Sequence, residues 1–290
     1  MPSLPKATTS AQSGPQTEFL RTPADICIYG GAAGGGKTVG LIMEPLRYVS
    51  RVPGFTAVFF RRTTPQITNP GGLWDESLNF YPRFGGTPHL RALEWRWPRA
   101  GKIKFSHLQF DTTVFDWQGA QITLICFDEL THFTARQFCY MVSRNRSTCG
   151  VRPYIRATCN PDADSWVAEF LAWWIDQETG LPIPERAGVL RYYIRVAEKI
   201  ILGRSPGRLD ATDDAVAGSS AWHRSAAADQ RHFCPGEGVR QPGSAAGQPG
   251  ISGLALVDAI ARARAAAERQ LEDPAGGWAL FQARMVHRCR

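Results

Sequence analysis

Residues Ile26 to Thr38 read ICIYGGAAGGGKT, a short apolar run, then five glycines with two alanines among them, then lysine and threonine. A buried strand that passes through such a loop directly into a helical pattern leaves few architectures open. Gly31 to Thr38 fits G-x-x-x-x-G-K-[ST]. In that pattern the loop curls so that successive backbone N–H groups face phosphate oxygens, an approach that side chains would block. The helix that follows adds its positive N-terminal end. A glycine-rich linker would share the composition, but not the position between a strand and a helix. The candidate nucleotide-contacting residues are therefore Gly31, Ala32, Ala33, Gly34, Gly35, Gly36, Lys37 and Thr38. Lys37 is expected to reach the β- and γ-phosphates of ATP, and the Thr38 hydroxyl to bind Mg2+.

A second element lies downstream. TLICFDE is an apolar strand that ends in two adjacent carboxylates. Asp128, at the strand tip, is placed to hold Mg2+ through its water shell, and Glu129 to polarise an attacking water. An adjacent Asp-Glu pair favours the ATPase branch that carries its own catalytic glutamate over GTPases, which position water with a glutamine. In ATCNP, Thr158 and Asn160 fall at the end of another strand, where α/β sheets place ligand groups and a polar tip can sense the γ-phosphate.

Around these motifs the pattern alternates. FTAVFFRR, QITLICFDE, YIRATCNP and VLRYYIRV read as strands, and LEWRWPRAGKIKFSHLQF as a hairpin through Pro98 to Gly101. KTVGLIMEPLRYV has helical spacing interrupted by Pro45, and Thr134 with Gln137 forms a capping box for another helix. The expected fold class is α/β, a P-loop NTPase of the ASCE type, with a mainly parallel central sheet flanked by helices. With 290 residues, 43% of them hydrophobic, the chain can build one or two cores.

The expected organisation is a flexible lead over 1–20, the ATPase domain over 21–201, and a low-complexity tail over 202–290 with no strand pattern. Seven cysteines without a CxxC pair read as reduced, mostly buried thiols. No apolar run is long enough for a bilayer, so a soluble cytosolic protein is expected. The net charge of +7 suits a polyanionic partner.

From about residue 14 to 200 the chain resembles the large terminase subunit of tailed bacteriophages, the ATPase that drives DNA into the procapsid. The resemblance rests on GPQTEFL, YGGAAGGGKT, RRTTPQITNPGGLWDE, DWQGAQITLICFDELTHFT, SRNRS and ATCNP. It implies that Gln16 reads adenine, that Gly31 to Thr38 is the Walker A loop, and that Asp128 with Glu129 is the Walker B pair. It also implies that ATCNP couples hydrolysis to movement. Arg61, Arg62, Arg144 and Arg146 are candidates for an arginine that stabilises transition-state charge. The implied partners are double-stranded DNA, the portal of the procapsid, a small terminase subunit and further copies in a ring, with no membrane. The implied location is the host bacterial cytoplasm, transiently at the portal.

The RNase H-like nuclease domain with which the family continues has no counterpart after residue 201, so no nuclease activity is expected in this chain. A shifted reading frame would account for that break: codon degeneracy lets QRHFCPGEGVRQP overlap SVTFAPARVYDNP, and QLEDP overlap SWKI, both terminase-like. Two alternatives stay open. One is a helicase- or repair-type DNA-dependent ATPase. The other is a nucleotide-binding remnant without productive turnover.

Overall fold

The computed structural model describes residues 10–31, 36–160, 162–196, 199–203 and 279–285. In chain order the helix α1 (Pro15–Arg21) leads into strand β1 (Ile26–Gly30), followed by α2 (Lys37–Met43) and β2 (Thr56–Arg61). Next come α3 (Thr64–Thr68), α4 (Leu73–Phe80) and the short strands β3 (Thr87–His89) and β4 (Glu94–Arg96). Then follow β5 (Lys102–His107), β6 (Leu124–Phe127), α5 (Ala135–Val142), β7 (Tyr154–Cys159) and α6 (Trp166–Phe170). The strands β8 (Leu190–Val196), β9 (Lys199–Gly203) and β10 (Ala279–Met285) complete the sheet.

The strands form one ten-stranded sheet in the order β3-β4-β5-β2-β6-β7-β1-β10-β8-β9. From β5 through β1 all neighbours are parallel; β4 and β3 extend one side antiparallel, as the expected hairpin. This is the α/β P-loop NTPase architecture. Its decisive feature is that β7 stands between β1, which leads into the glycine-rich loop, and β6, which ends at Asp128. That inserted strand defines the ASCE arrangement.

Alternation along the strands divides the core between the two faces. Ile26, Ile28, Val58, Phe60, Ile125, Phe127, Ile155 and Ala157 point to one face and are covered by Phe138 and Met141 of α5 and Trp166 and Phe170 of α6. Cys27, Tyr29, Ala57, Phe59, Leu124 and Cys126 point to the other and meet Phe19 of α1, Leu41 and Ile42 of α2, and Trp74 of α4. Both faces are buried, which is why these strands read as continuous apolar runs. Pro45 acts as expected: α2 ends at Met43 and the chain tightens into a 3-10 turn over Glu44–Arg47. The box at Thr134 is also present, with the Gln137 amide donating to the Thr134 hydroxyl (3.2 Å) and the Thr134 amide to the Gln137 side chain (3.0 Å).

Two expectations about the ends are corrected. The lead is helical from Pro15, because Gln16 and Phe19 find buried positions against the loop and sheet. Residues 1–9 lie outside the described residues. The region after 201 contributes to the sheet: β9 extends to Gly203, and β10 pairs antiparallel with β1 and parallel with β8. Phe281 of β10 is buried, its ring 6.0 Å from that of Trp174. The reading of a strandless tail failed because ALFQARM has no clean alternation of its own; the exposed edge of β1 supplies its partner. Residues 204–278 and 286–290 lie outside the described residues.

Candidate active site

The carboxyl ends of β1, β2, β6 and β7 meet at one point, because these strands are parallel and adjacent. Gly36 caps α2 in the left-handed region, φ 69°. A Cβ at Gly36 would stand 2.9 Å from Gln16 Nε2 and 3.2 Å from Gln12 Oε1, so no larger residue fits the turn unmoved. Gln16 is buried; its Nε2 donates to the Gly36 carbonyl at 2.9 Å and its Oε1 accepts the Gln12 amide at 2.7 Å. Gly36→Ala should therefore cost roughly 1–2 kcal/mol from the left-handed backbone alone and displace Gln16. Thermal denaturation should show a melting point several degrees lower, and nucleotide titration a weaker affinity.

Lys37, the first residue of α2, is buried; its Nζ donates to the Gly31 carbonyl at 2.5 Å and to Asn160 Oδ1 at 2.8 Å. Burial lowers its pKa, and the charges of Glu129, Cys159 and Asp128 oppose that shift. Thr38, the second residue of α2, is half-buried. Ala32, Ala33, Gly34 and Gly35 lie outside the described residues.

Asp128 follows β6 and is buried. Its Oδ1 accepts the Thr158 hydroxyl at 2.7 Å, and its Oδ2 lies 2.8 Å from Arg61 Nε. Burial raises its pKa, with Arg61 and then Thr158 acting in the opposite direction. Glu129 adopts φ 60°, ψ 67°, an uncommon conformation for a residue with a Cβ. It is held there by three bonds. Its amide donates to the Thr158 hydroxyl (3.1 Å), and its carboxylate accepts the Asn160 amide (3.2 Å) and Asn160 Nδ2 (3.1 Å). Asn160 thus touches both Lys37 and Glu129.

The four candidate arginines separate into two pairs. Arg61 and Arg62, at the carboxyl end of β2, are beside the site. Arg61 pairs with Asp128, and Arg62 donates to Gln137 Oε1 at 2.9 Å. Arg144 and Arg146 are at the other end of the sheet. Ile122 donates to the Arg144 carbonyl and accepts the Arg146 amide, both at 3.1 Å, before β6 begins. From Ile122 to Asp128 the extended chain covers about 20 Å. Within one chain Arg144 and Arg146 are therefore not brought to Asp128. Arg144 instead lies over the Tyr140 ring at 5.1 Å, and Arg146 donates to the Ser143 carbonyl.

Sequence reasoning missed Arg156 and Glu44, both buried behind the site. The signal was an arginine inside the apolar strand YIRATC, where a charge needs a partner. Arg156 donates to the carbonyls of Ala24, Ile155 and Thr22, and its Nε is 3.7 Å from Glu44 Oε1 at the end of α2. One guanidinium therefore ties the segment after α1 to β7 and to the far end of the loop-bearing helix.

A P-loop beside a paired aspartate and glutamate, with a polar strand tip between them, defines an ASCE-type P-loop protein. A family model described as the terminase large subunit, T4likevirus-type, N-terminal, matches residues 28–232. The chain belongs to this family, and the match continues beyond residue 201. Comparison with curated proteins returned no match.

Solved structures similar to the chain include the large terminase of the HK97 bacteriophage, at 13% identity and TM-score 0.45, covering 58% of this chain and 38% of that one. The Thermus phage P74-26 large terminase ATPase domain is similar at 12% identity and TM-score 0.41, with 54% and 67% covered. The large terminase of a further, thermophilic bacteriophage is similar at 14% identity and TM-score 0.41, with 50% and 38% covered. That thermophilic-phage protein is also known in complex with ATP-γ-S and with ADP. The chain thus spans 38% of the HK97 chain and 38% of the thermophilic-phage chain in the first of these matches.

Proposed function

We propose that the chain is the ATP-hydrolysing motor domain of a phage large terminase, which powers movement of double-stranded DNA into procapsids. The observation that carries this reading is the convergence of Lys37, Thr158, Asn160, Asp128 and Glu129 at one sheet edge. The residues fit a magnesium nucleotide. Lys37 is a desolvated ammonium beside a left-handed turn at Gly36, φ 69°, that favours glycine, and the Thr38 hydroxyl and Asp128 carboxylate are the hard oxygen donors Mg2+ prefers.

When bound, the magnesium nucleotide supplies the phosphoryl group to be transferred and a cation that offsets its charge. The chain's residues do the rest. Lys37 would contact phosphate oxygens, and the Thr38 hydroxyl would be a metal ligand. Asp128, buried and engaged by Arg61 and Thr158, would hold the metal through its water shell. Glu129 orients a water and accepts its proton once Asn160 releases the carboxylate. Because Asn160 also holds Lys37, phosphate binding at Lys37 and activation of water at Glu129 are linked through one side chain. Gln16, packed on Gly36, is the proposed adenine contact. Arg61 and Arg62 are proposed to act within the chain, and Arg144 and Arg146 on a neighbouring copy in a ring. The proposed partners are duplex DNA, the portal, a small terminase subunit and further copies. The proposed location is the host cytoplasm, transiently at the portal. No nuclease activity is proposed for the chain.

The test is nucleotide binding and phosphate release by the full chain. The unmodified protein should bind and hydrolyse magnesium ATP, and Lys37→Ala should abolish both. Binding without hydrolysis in the unmodified chain would identify a nucleotide-binding remnant instead.

A further inference from the structure

Among the described residues, the β3-β4-β5 part of the sheet is packed by α-helices on one face, while on the other Lys104 lies over the Trp117 ring at 5.5 Å. In the β3-β4-β5 extension, Trp95, Ile103 and Phe105 pack under Trp74 and Tyr81. Register places the alternate residues together on the opposite face: Thr87, Arg96 and Lys102 in one row, and His89, Glu94 and Lys104 in the next. Arg96, Lys102, Lys104 and His89 are exposed. Glu94, the carboxylate among them, is buried and engaged by the Arg96 guanidinium. The turns flanking β4 add Arg91 and Arg99, both exposed. Residues 87–104 therefore hold five cations against one carboxylate, in a chain whose whole net charge is +7.

We propose that this cationic face is a docking surface for the phosphate backbone of duplex DNA. Three features favour that occupant. The charge is of one sign and its internal acid is already neutralised. Lys102 and Lys104 stand on one strand two residues apart, about 7 Å, and both side chains are exposed. The Trp117 ring is half-buried and engaged by Lys104 at 5.5 Å rather than open to stack on an unpaired base, so contacts go to phosphates and are independent of base sequence. The face is separate from the nucleotide site; the choice of DNA among polyanions rests on the motor reading.

The experiment compares the full chain with Lys102→Ser/Lys104→Ser and with a charge-matched control, Arg21→Ser/Arg152→Ser. Anisotropy of a labelled mixed-sequence duplex is read across a salt series, alongside ATP hydrolysis without DNA. The lysine double variant should bind at least tenfold more weakly at moderate salt. Its log–log salt slope should be shallower by about 2, since each lost phosphate contact removes roughly 0.9. The control should bind more like the unmodified chain, and DNA-free hydrolysis should be equal in all three. Unchanged affinity and slope in the lysine variant would overturn the surface while leaving the motor reading intact. Absent hydrolysis in every protein, with the lysine effect present, would overturn the motor reading alone. Salt-sensitive self-association without DNA, abolished by the same two substitutions, would give the face to a second copy and overturn the DNA assignment.

Discussion

Glu129→Gln is expected to lower the rate of ATP hydrolysis by roughly 10²–10⁴-fold, the range that a positioned general base contributes. ATP affinity should stay within a few-fold of the unmodified protein. The reason lies in which contacts change. The residue's backbone geometry depends on the Thr158 hydroxyl and on Asn160, and an amide of the same shape keeps one of the two side-chain acceptor sites. The amide cannot accept a proton from water. Lys37 and the Gly36 turn are unaltered, so nucleotide binding has no cause to weaken. Steady-state phosphate release, nucleotide titration and melting temperature together check the claim. Near-normal hydrolysis would remove Glu129 from the proposed role.

Arg156→Met is expected to destabilise the protein by about 3–5 kcal/mol, the cost of removing the buried partner of a buried charge. For a chain of this size that lowers the melting temperature by roughly 10 °C. The variant loses hydrogen bonds to three carbonyls and leaves the buried Glu44 carboxylate with the partly exposed Arg47, 3.7 Å away, as its remaining cation. Burial already raises the Glu44 pKa above its usual 4.5, and Arg156 is the largest influence opposing it. Removing Arg156 moves that pKa further up. A carboxyl group with a raised folded-state pKa contributes stability below its unfolded value and loses it as pH rises through the folded one. The stability difference between the variant and the unmodified protein should therefore be smallest near pH 4 and grow toward neutrality. Denaturant unfolding across that range tests it. Arg156→Met/Glu44→Leu should recover much of the loss, since the buried charge is gone. A double variant no more stable than the single one would show that the carbonyl contacts, not the ion pair, carry the effect.

The motifs were legible because each is local. A Gly-rich turn between a strand and a helix, a box at Thr134, and a proline that ends α2 are settled by bonds spanning a few residues. The apolar runs of β2, β6 and β7 were legible because both of their faces are covered. Arg156 was not, since its partners are over a hundred residues away in sequence, at Thr22, Ala24 and Glu44. The arginine candidates could not be ranked either. Arg61 and Arg144 look alike in a linear pattern, and strand direction alone sets one beside Asp128 and the other at the far end of β6.

The sequence by itself determined that the chain has a phosphate-type loop, an apolar strand ending in Asp128 and Glu129, and a polar tip at Thr158 and Asn160. Those depend on side-chain chemistry and short-range periodicity. Tertiary structure alone decided that β7 stands between β1 and β6, so that Asn160 reaches Lys37 and Glu129 together. It also decided that β10 completes the edge of β1, and that Arg96, Lys102 and Lys104 share one face. Strand order and register come from hydrogen bonds between segments far apart in the chain, and no local pattern encodes which strand lies beside which.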